Sequence, residues 1–259
     1  MKRVKGTAMF DLTGKTAIVT GGNGGIGLGF ARGLARAGAN VAIWGRNADK
    51  NEAARAELAE LTEVLALQCD VGDEDDIVHA FAETVDRFGR VDSVFANAGI
   101  GGRSTRFAEM TLDEWRDIFR INMEGVFLTF RTAVQHMMEH QQGGSLVVTS
   151  SGSAYFGMPR GEHYAATKAG VNAMIRGLAV EYGKHGIRAN AITPGWIDTD
   201  MTAPLLANER FERGVLPRIP RKRWGRPEDF EGIAVYLASD ASAWHTGDVI
   251  NIDGGYAVA

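Results

Sequence analysis

With 259 residues, 45% of them apolar, the chain is long enough to bury a sizeable core, as one large domain or two small ones. Its formal net charge of −4 comes with no basic block, so it lacks an electrostatic footprint for nucleic acid. One cysteine rules out an internal disulfide framework and fits a reducing, cytoplasmic compartment, and the six histidines offer no set of ligand spacings from which a metal site follows.

The chain opens on the basic run Met1-Lys2-Arg3-Val4-Lys5, which no apolar stretch follows. Residues 1–9 therefore read as a flexible tail, and neither a secretory signal nor a membrane anchor is expected. A first strand is expected over residues 16–20. It runs into Gly21-Gly22-Asn23-Gly24-Gly25-Ile26-Gly27 and then a helix over 25–37. Glycines at such a turn permit positive φ, close approach of the backbone to a pyrophosphate and tight packing of helix on strand. The helix N-terminus then offers unpaired N–H groups to the anion. Two registers fit: Gly22, Gly24 and Gly27 match the general dinucleotide fingerprint, while Gly21, Gly25 and Gly27 match Thr-Gly-x-x-x-Gly-x-Gly.

A second strand over 40–44 ends in Ile43-Trp44-Gly45-Arg46. A carboxylate at this point would bind both ribose hydroxyls of NAD and reject a 2′-phosphate. Arg46 instead offers a fork of donors to a phosphate, so NADP(H) is the expected cofactor, with NAD(H) as the alternative. After a helix over 48–61, the strand over 64–69 ends at Cys69, which reads as a buried thiol rather than a nucleophile. Asp73-Glu74-Asp75-Asp76 opens a helix over 73–88, where the helix dipole favours negative charge.

The alternation continues with strands over 91–96, 145–150, 188–192 and 249–252 and helices over 112–139, 164–182 and 227–238. Seven short Val- and Ile-rich runs separated by helices predict an α/β, doubly wound Rossmann fold, a seven-stranded parallel sheet with helices on both faces. No linker or repeat divides the chain, and one domain over residues 1–259 is expected. The least regular stretches, 152–163 and 196–220, follow strands, where ligands of open α/β sheets bind. Phe156, Met158, Trp196, Met201 and Phe211 would give such a pocket an apolar wall, suited to a hydrophobic or amphipathic carbonyl compound. Arg103, Arg106, Arg160 and His163 lie on nearby segments and are read as solvated surface ahead of anion contacts.

The chemistry concentrates in Ser151, Tyr164 and Lys168. A spacing of four puts Tyr164 and Lys168 on one helix face. Free tyrosine ionises near pH ~10, too high for proton transfer at neutrality. An ammonium ~4 Å away would favour phenolate by about 4 kcal/mol at an effective dielectric of about 20, roughly three pKa units. Ser151 could hold the oxygen that exchanges the proton, which points to carbonyl/alcohol interconversion rather than hydrolysis. A dinucleotide-binding protein with a regulatory or structural role is the alternative.

In order along the chain, Thr20-Gly21-x-x-x-Gly25-Ile26-Gly27, Asp70-Val71, Asn97-Ala98-Gly99, Asn122, Ser151, Tyr164-x-x-x-Lys168, Pro194-Gly195 and Asp253-Gly254-Gly255 resemble the motifs of the short-chain dehydrogenase/reductase family. The resemblance is to its compact single-domain form, similar to 3-oxoacyl-carrier-protein reductase-like members. It implies that Gly21, Asn23, Gly25, Ile26 and Gly27 form the cofactor turn, that Asp70 and Val71 bracket the adenine, and that Asn97, Ala98 and Gly99 line the cofactor. Pro194 and Gly195 would lead to Ile197 and Thr199 at the nicotinamide carboxamide. Tyr164 would be the acid/base, Ser151 the holder of the substrate oxygen, and Lys168 the residue that lowers the tyrosine pKa and holds the nicotinamide ribose. Asn122 would position a water linking Lys168 to solvent. Ala96 departs from a second Asn that many members carry. Three residues separate Tyr164 from Lys168, whereas related enoyl reductases use six, which disfavours reduction of a carbon–carbon double bond. The family also implies a homotetramer, with a homodimer as fallback, and leaves NAD-dependent polyol, cyclic alcohol or steroid dehydrogenases as alternatives within the enzyme class.

Overall fold

Successive strand residues point to opposite faces, so a strand covered on both sides must be apolar throughout. The computed structural model describes residues 9–103 and 105–259. The tail expected over residues 1–9 lies, as far as residue 8, outside the described residues. Seven strands, β1 (Thr16–Thr20), β2 (Asn40–Gly45), β3 (Val64–Gln68), β4 (Ser93–Ala96), β5 (Gly144–Thr149), β6 (Ile187–Pro194) and β7 (Val249–Ile252), form one sheet in the order β3-β2-β1-β4-β5-β6-β7. Every neighbouring pair is parallel. The helices are α1 (Gly25–Arg36), α2 (Ala48–Leu58), α3 (Glu74–Phe88), α4 (Leu112–Phe119), α5 (Gly125–His140), α6 (Glu162–Tyr182), α7 (Ala203–Leu206), α8 (Glu209–Val215) and α9 (Glu231–Ala238).

Ile18, Ala42, Trp44, Val94, Leu146 and Val148 face α3, α5 and α6, while Ala17, Val19, Val41, Ile43, Phe95 and Val147 face α1, α2 and α9. The doubly wound arrangement expected from the alternation is the one observed. The acidic run begins a helix as expected: the Asp73 carboxylate accepts from the N–H groups of Asp75 and Asp76. Cys69 is a buried free thiol whose pKa is pushed up to about 12 by burial and then by the charges of Asp76, Asp70 and Asp73.

Two segments differ from expectation. The helix expected over 112–139 is interrupted by a π-turn at Arg120–Glu124, because the hydrophobic spacing that marks a helix does not distinguish α from π winding. The stretch 196–220 contains α7 and α8. The Asn208 side chain caps α8 by accepting from the N–H groups of Arg210 and Phe211, a start signal made faint by the short, mostly charged run that follows it.

Close helix packing rests on the glycine face of α1. A Cβ at Gly29 would fall inside the van der Waals shell of the Pro227 carbonyl oxygen, and one at Gly33 would lie 2.5 Å from the Glu231 oxygen. Both obstacles are backbone, so neither can rotate away. Gly29→Ala is expected to cost about 3 kcal/mol, read as a lowered urea midpoint at unchanged slope.

Candidate active site

The chain leaves β1 for β2 and β3 and returns to β1's other side at β4, which opens a crevice at the carboxyl ends of β1 and β4. Thr20 closes its floor: the hydroxyl accepts from the N–H groups of Asn97 and Ala98, each at 3.0 Å. The Asn97 amide donates to the carbonyls of Thr20 at 3.1 Å and Gly21 at 3.3 Å, and its oxygen accepts from the Thr149 hydroxyl at 3.0 Å. Asn97 therefore braces β1, β4 and β5 against one another.

Above this floor, Gly21 and Gly25 take left-handed φ of +63° and +50°. A Cβ at Gly27 would collide with the Gly21 carbonyl oxygen. Gly22 has no positive φ, although a Cβ there would lie 2.9 Å from the Val19 carbonyl oxygen, and nothing lies within 4 Å of a Cβ at Gly24. Left-handed backbone in the turn thus falls on Gly21 and Gly25, as the register Gly21, Gly25, Gly27 requires. The first turn of α1 has no acidic residue and its N-cap, Gly24, makes no side-chain hydrogen bond. These N–H groups suit a pyrophosphate. Asn23 donates to the Asn51 oxygen at 2.6 Å, and Asn51 in turn donates to the carbonyls of Gly45 and Leu67, which ties the turn to the ends of β2 and β3. Asn51 gave no sign in the sequence, since a buried amide inside a helix belongs to no motif.

A recess of about 460 Å³ at the same end is lined by Arg46, Gln68, Asp70 and Asp76. Arg46 is exposed there and makes no ion pair among the described residues. Burial works to raise the Asp70 carboxyl, but the Gly72 N–H and the Arg120 guanidinium outweigh it and hold it below the usual value. Val71 lies beside Gly125, whose Cβ would come within 2.8 Å of the Val71 carbonyl oxygen.

Ser151, Tyr164 and Lys168 come together beyond β5. Lys168 is buried; its ammonium donates to the Thr149 carbonyl at 2.7 Å and lies 5.6 Å from the centroid of the Tyr164 ring. Ser151 opens the short turn after β5, where its hydroxyl accepts from the Ser153 N–H at 3.2 Å. The neighbouring Ser150 is buried and directed to the Lys168 carbonyl, which takes it out of contention. The expected lowering of the Tyr164 pKa is not found. Burial raises it, and the Ser151 side chain offsets only part of the rise. The physical reason is that both groups share one desolvated pocket. Burial drives Lys168 itself down from the usual 10.5 to about 8, so the ammonium that should help the phenol is weakened by the same environment.

Asn122 sits fully buried in the π-turn, its oxygen accepting from the Ile100 N–H and its amide donating to the Ile100 carbonyl, both at 2.9 Å. Its side chain is engaged with the backbone of the loop after β4. Gly99 is held between them: a Cβ there would meet the Asn122 oxygen at 3.2 Å and the Lys168 nitrogen at 3.7 Å. Gly195 donates to the Ile252 carbonyl after Pro194 ends β6; Ile197 is buried; and the Thr199 methyl lies 3.1 Å from a Cβ at Gly25. The loop after β6 thus descends onto the glycine turn.

Aromatic rings wall the space beside Ser151. Phe156 lies 3.6 Å from a Cβ at Gly152 and meets Tyr256 edge-on at 6.2 Å; Tyr256 meets Trp196 at 6.4 Å, and Trp196 meets Phe211 at 4.9 Å. The Asp253-Gly254-Gly255 motif aims Tyr256 into this wall: Gly254 and Gly255 have φ of +67° and +89°, and the Asp253 carboxylate accepts from the N–H groups of Gly255 and Ala257. Arg218 lies 4.8 Å over the Tyr256 ring, a cation that sequence inspection passed over. Among the cations expected at the surface, Arg103, Arg106 and Arg160 are exposed, whereas His163 is buried at 1% exposure against the loop that carries Gly102. One His-x-x-x-His spacing, His136 and His140 on α5, also escaped notice. Its rings lie tilted at 33° with centroids 4.2 Å apart, yet no group of three metal-ligating side chains exists among the described residues.

A family model described as Enoyl-(Acyl carrier protein) reductase matches residues 21–257. A short-chain type dehydrogenase/reductase from Mycobacterium marinum superposes with a TM-score of 0.92 at 36% identity, covering 97% of this chain and 98% of that one. The chain belongs to the short-chain dehydrogenase/reductase family. This short-chain dehydrogenase/reductase is 35% identical to gluconate 5-dehydrogenase of Gluconobacter oxydans over 97% of its own length and 98% of the relative's. It also resembles a gluconate 5-dehydrogenase from Burkholderia cenocepacia solved with NADP and tartrate, at a TM-score of 0.91, 32% identity and coverage of 97% and 98%. Among the described residues, no helix is long and apolar enough to cross a membrane.

Proposed function

We propose that this oxidoreductase interconverts a secondary alcohol and a ketone with NADP(H), Tyr164 serving as acid/base. The observation that carries the proposal is the meeting of Tyr164, Lys168 and Ser151 at the carboxyl edge of the sheet, beside a glycine turn with the φ values and uncapped helix N-terminus that a pyrophosphate requires. Bound nicotinamide supplies or accepts the hydride. Ser151 holds the substrate oxygen, and Tyr164 gives that oxygen its proton during reduction. A phenol whose pKa is raised is fully protonated at neutrality, which suits the acid role. Lys168 stabilises the phenolate left behind and holds the nicotinamide ribose. Asn122 positions the loop that carries Gly99 and Ile100 against Lys168, and with it a water joining Lys168 to solvent. Asp70 and Val71 receive the adenine, Ala98 and Gly99 line the groove, and Ile197 and Thr199 cover the carboxamide.

The spacing of Tyr164 and Lys168, with three residues between them, favours a carbonyl over a carbon–carbon double bond. The aromatic wall with Arg218 at its rim supports a substrate with an apolar or ring-like body and an anionic group, and relatives named for gluconate are compatible with the latter. A cytoplasmic location and a homotetramer, or failing that a homodimer, belong to the same proposal. Exposed Phe127 on α5 and Val180 on α6 support an interface formed by these helices, and the buried free thiol fits a reducing compartment.

Fluorescence titration with NADPH and NADH, coupled to a 340 nm assay over a panel of ketones and alcohols, tests the proposal. NADPH is expected to bind more tightly. Arg46→Ala should weaken NADPH about tenfold and leave NADH unchanged, the loss of a charge-assisted phosphate contact. Equal affinity for the two cofactors in the unaltered protein would leave Arg46 as plain surface.

A further inference from the structure

The π-turn at Arg120–Glu124 touches both ends of the candidate cofactor groove. At its start, the Arg120 guanidinium occupies the space beside Gly72, with its central carbon 2.7 Å from where a Cβ would stand, a position that a side chain at 72 would contest. From there Nη1 reaches the Asp70 carboxylate, 3.3 Å from Oδ2. Ile121 packs on the same glycine, its Cδ1 2.9 Å from that Cβ position, and Gly125 lets the start of α5 approach the Val71 carbonyl. Asp70 is fixed from its other side as well: Oδ1 accepts from the Gly72 N–H at 3.0 Å, and its own N–H donates to Asp76 at 2.9 Å. Each carboxylate oxygen keeps a further lone pair. Two residues on, Asn122 holds Ile100 and so sets Gly99 beside Lys168.

We infer that Arg120 is a positioning residue for adenine recognition. It sets the plane of the Asp70 carboxylate so that the remaining lone pairs accept the exocyclic amino group of adenine. The inference rests on the reading of Asp70 as an adenine contact. The side chains of Arg120 and Asp70 are 40% and 31% exposed, and ion pairs so placed contribute little to stability. The loss of Arg120 therefore belongs in cofactor selectivity rather than in unfolding.

The test compares NADPH with its hypoxanthine analogue, which carries an oxygen in place of the 6-amino group, by fluorescence titration. The unaltered protein should prefer NADPH about tenfold, because a carboxylate accepts from the amino group and repels the oxygen. Arg120→Gln should remove most of that preference by weakening NADPH alone, Arg120→Lys should restore part of it, and kcat at saturating NADPH and the unfolding midpoint should barely change. Equal weakening of both cofactors, or an unaltered protein that does not distinguish them, would overturn the positioning role. Failure of both NADPH and NADH to bind the unaltered protein would overturn the dinucleotide reading itself, and the inference with it.

Discussion

Tyr164→Phe is expected to lower kcat for ketone reduction by between about 10² and 10⁴-fold, the usual contribution of a general acid, while NADPH affinity should stay within about twofold. The substitution removes one hydroxyl and keeps the ring that packs near the Lys168 ammonium. Binding of the dinucleotide is expected to rest chiefly on the glycine turn, the α1 N-terminus and the Arg46 end, so loss of one hydroxyl at Tyr164 should cost it little. Steady-state kinetics with parallel cofactor titration separates the two effects. Full activity in the phenylalanine variant would remove Tyr164 from the chemistry.

Lys168→Met is expected to abolish activity and yet raise stability at neutral pH. Burial pushes Lys168 from 10.5 to about 8. At about 1.4 kcal/mol for each pH unit, a folded chain that keeps the ammonium carries a penalty of about 3 kcal/mol. Below pH 8 both folded and unfolded chains hold the proton, so the penalty is present in full. Between about 8 and 10.5 the unfolded chain holds a proton that the folded chain has released, and stability from this residue rises with pH; above 10.5 both are neutral and the penalty is gone. The lost bond to the Thr149 carbonyl offsets about 1 kcal/mol. The methionine variant should thus be more stable by about 2 kcal/mol at pH 7, with the difference vanishing or changing sign by pH 10.5. The Cys69 thiol, pushed up to about 12 by burial, is common to both proteins and cancels in the comparison. Urea unfolding of the two proteins at pH 7 and pH 10 measures it. A variant less stable by the same amount at both would show that the ammonium is not held against a desolvation penalty. Such a residue is kept for chemistry at a cost in stability.

The sheet was legible because strands covered on both faces read as near-continuous apolar runs, as Ala17-Ile18-Val19 and Val41-Ala42-Ile43-Trp44 do within Thr16–Thr20 and Asn40–Gly45. The glycine turn was legible as a turn, but its register was not. Two sets of glycines satisfy the letters, and only φ at Gly21 and Gly25 separates them. Ser151, Tyr164 and Lys168 stood out through spacing, yet the sign of the Tyr164 shift did not. Pairing favours the phenolate and burial opposes it, and depth of burial is a tertiary quantity. Arg120, Asn51 and Arg218 were missed for a related reason. Each acts through a partner distant in the chain, Asp70, Asn23 and Tyr256, and no periodicity connects them.

The most direct measurement is isotope transfer from NADPH dideuterated at C4 of the reduced nicotinamide, with the product of the panel ketones analysed by mass spectrometry and proton NMR. The expected result is one deuterium on the new carbinol carbon and none on oxygen after exchange, with the rate of transfer lowered by about 10² to 10⁴-fold in Tyr164→Phe and transfer abolished in Lys168→Met. Cofactor bound by the protein with no deuterium delivered from it to the carbonyl carbon of any ketone or other carbonyl compound would contradict hydride transfer and leave a dinucleotide-binding protein without the chemistry assigned to Tyr164.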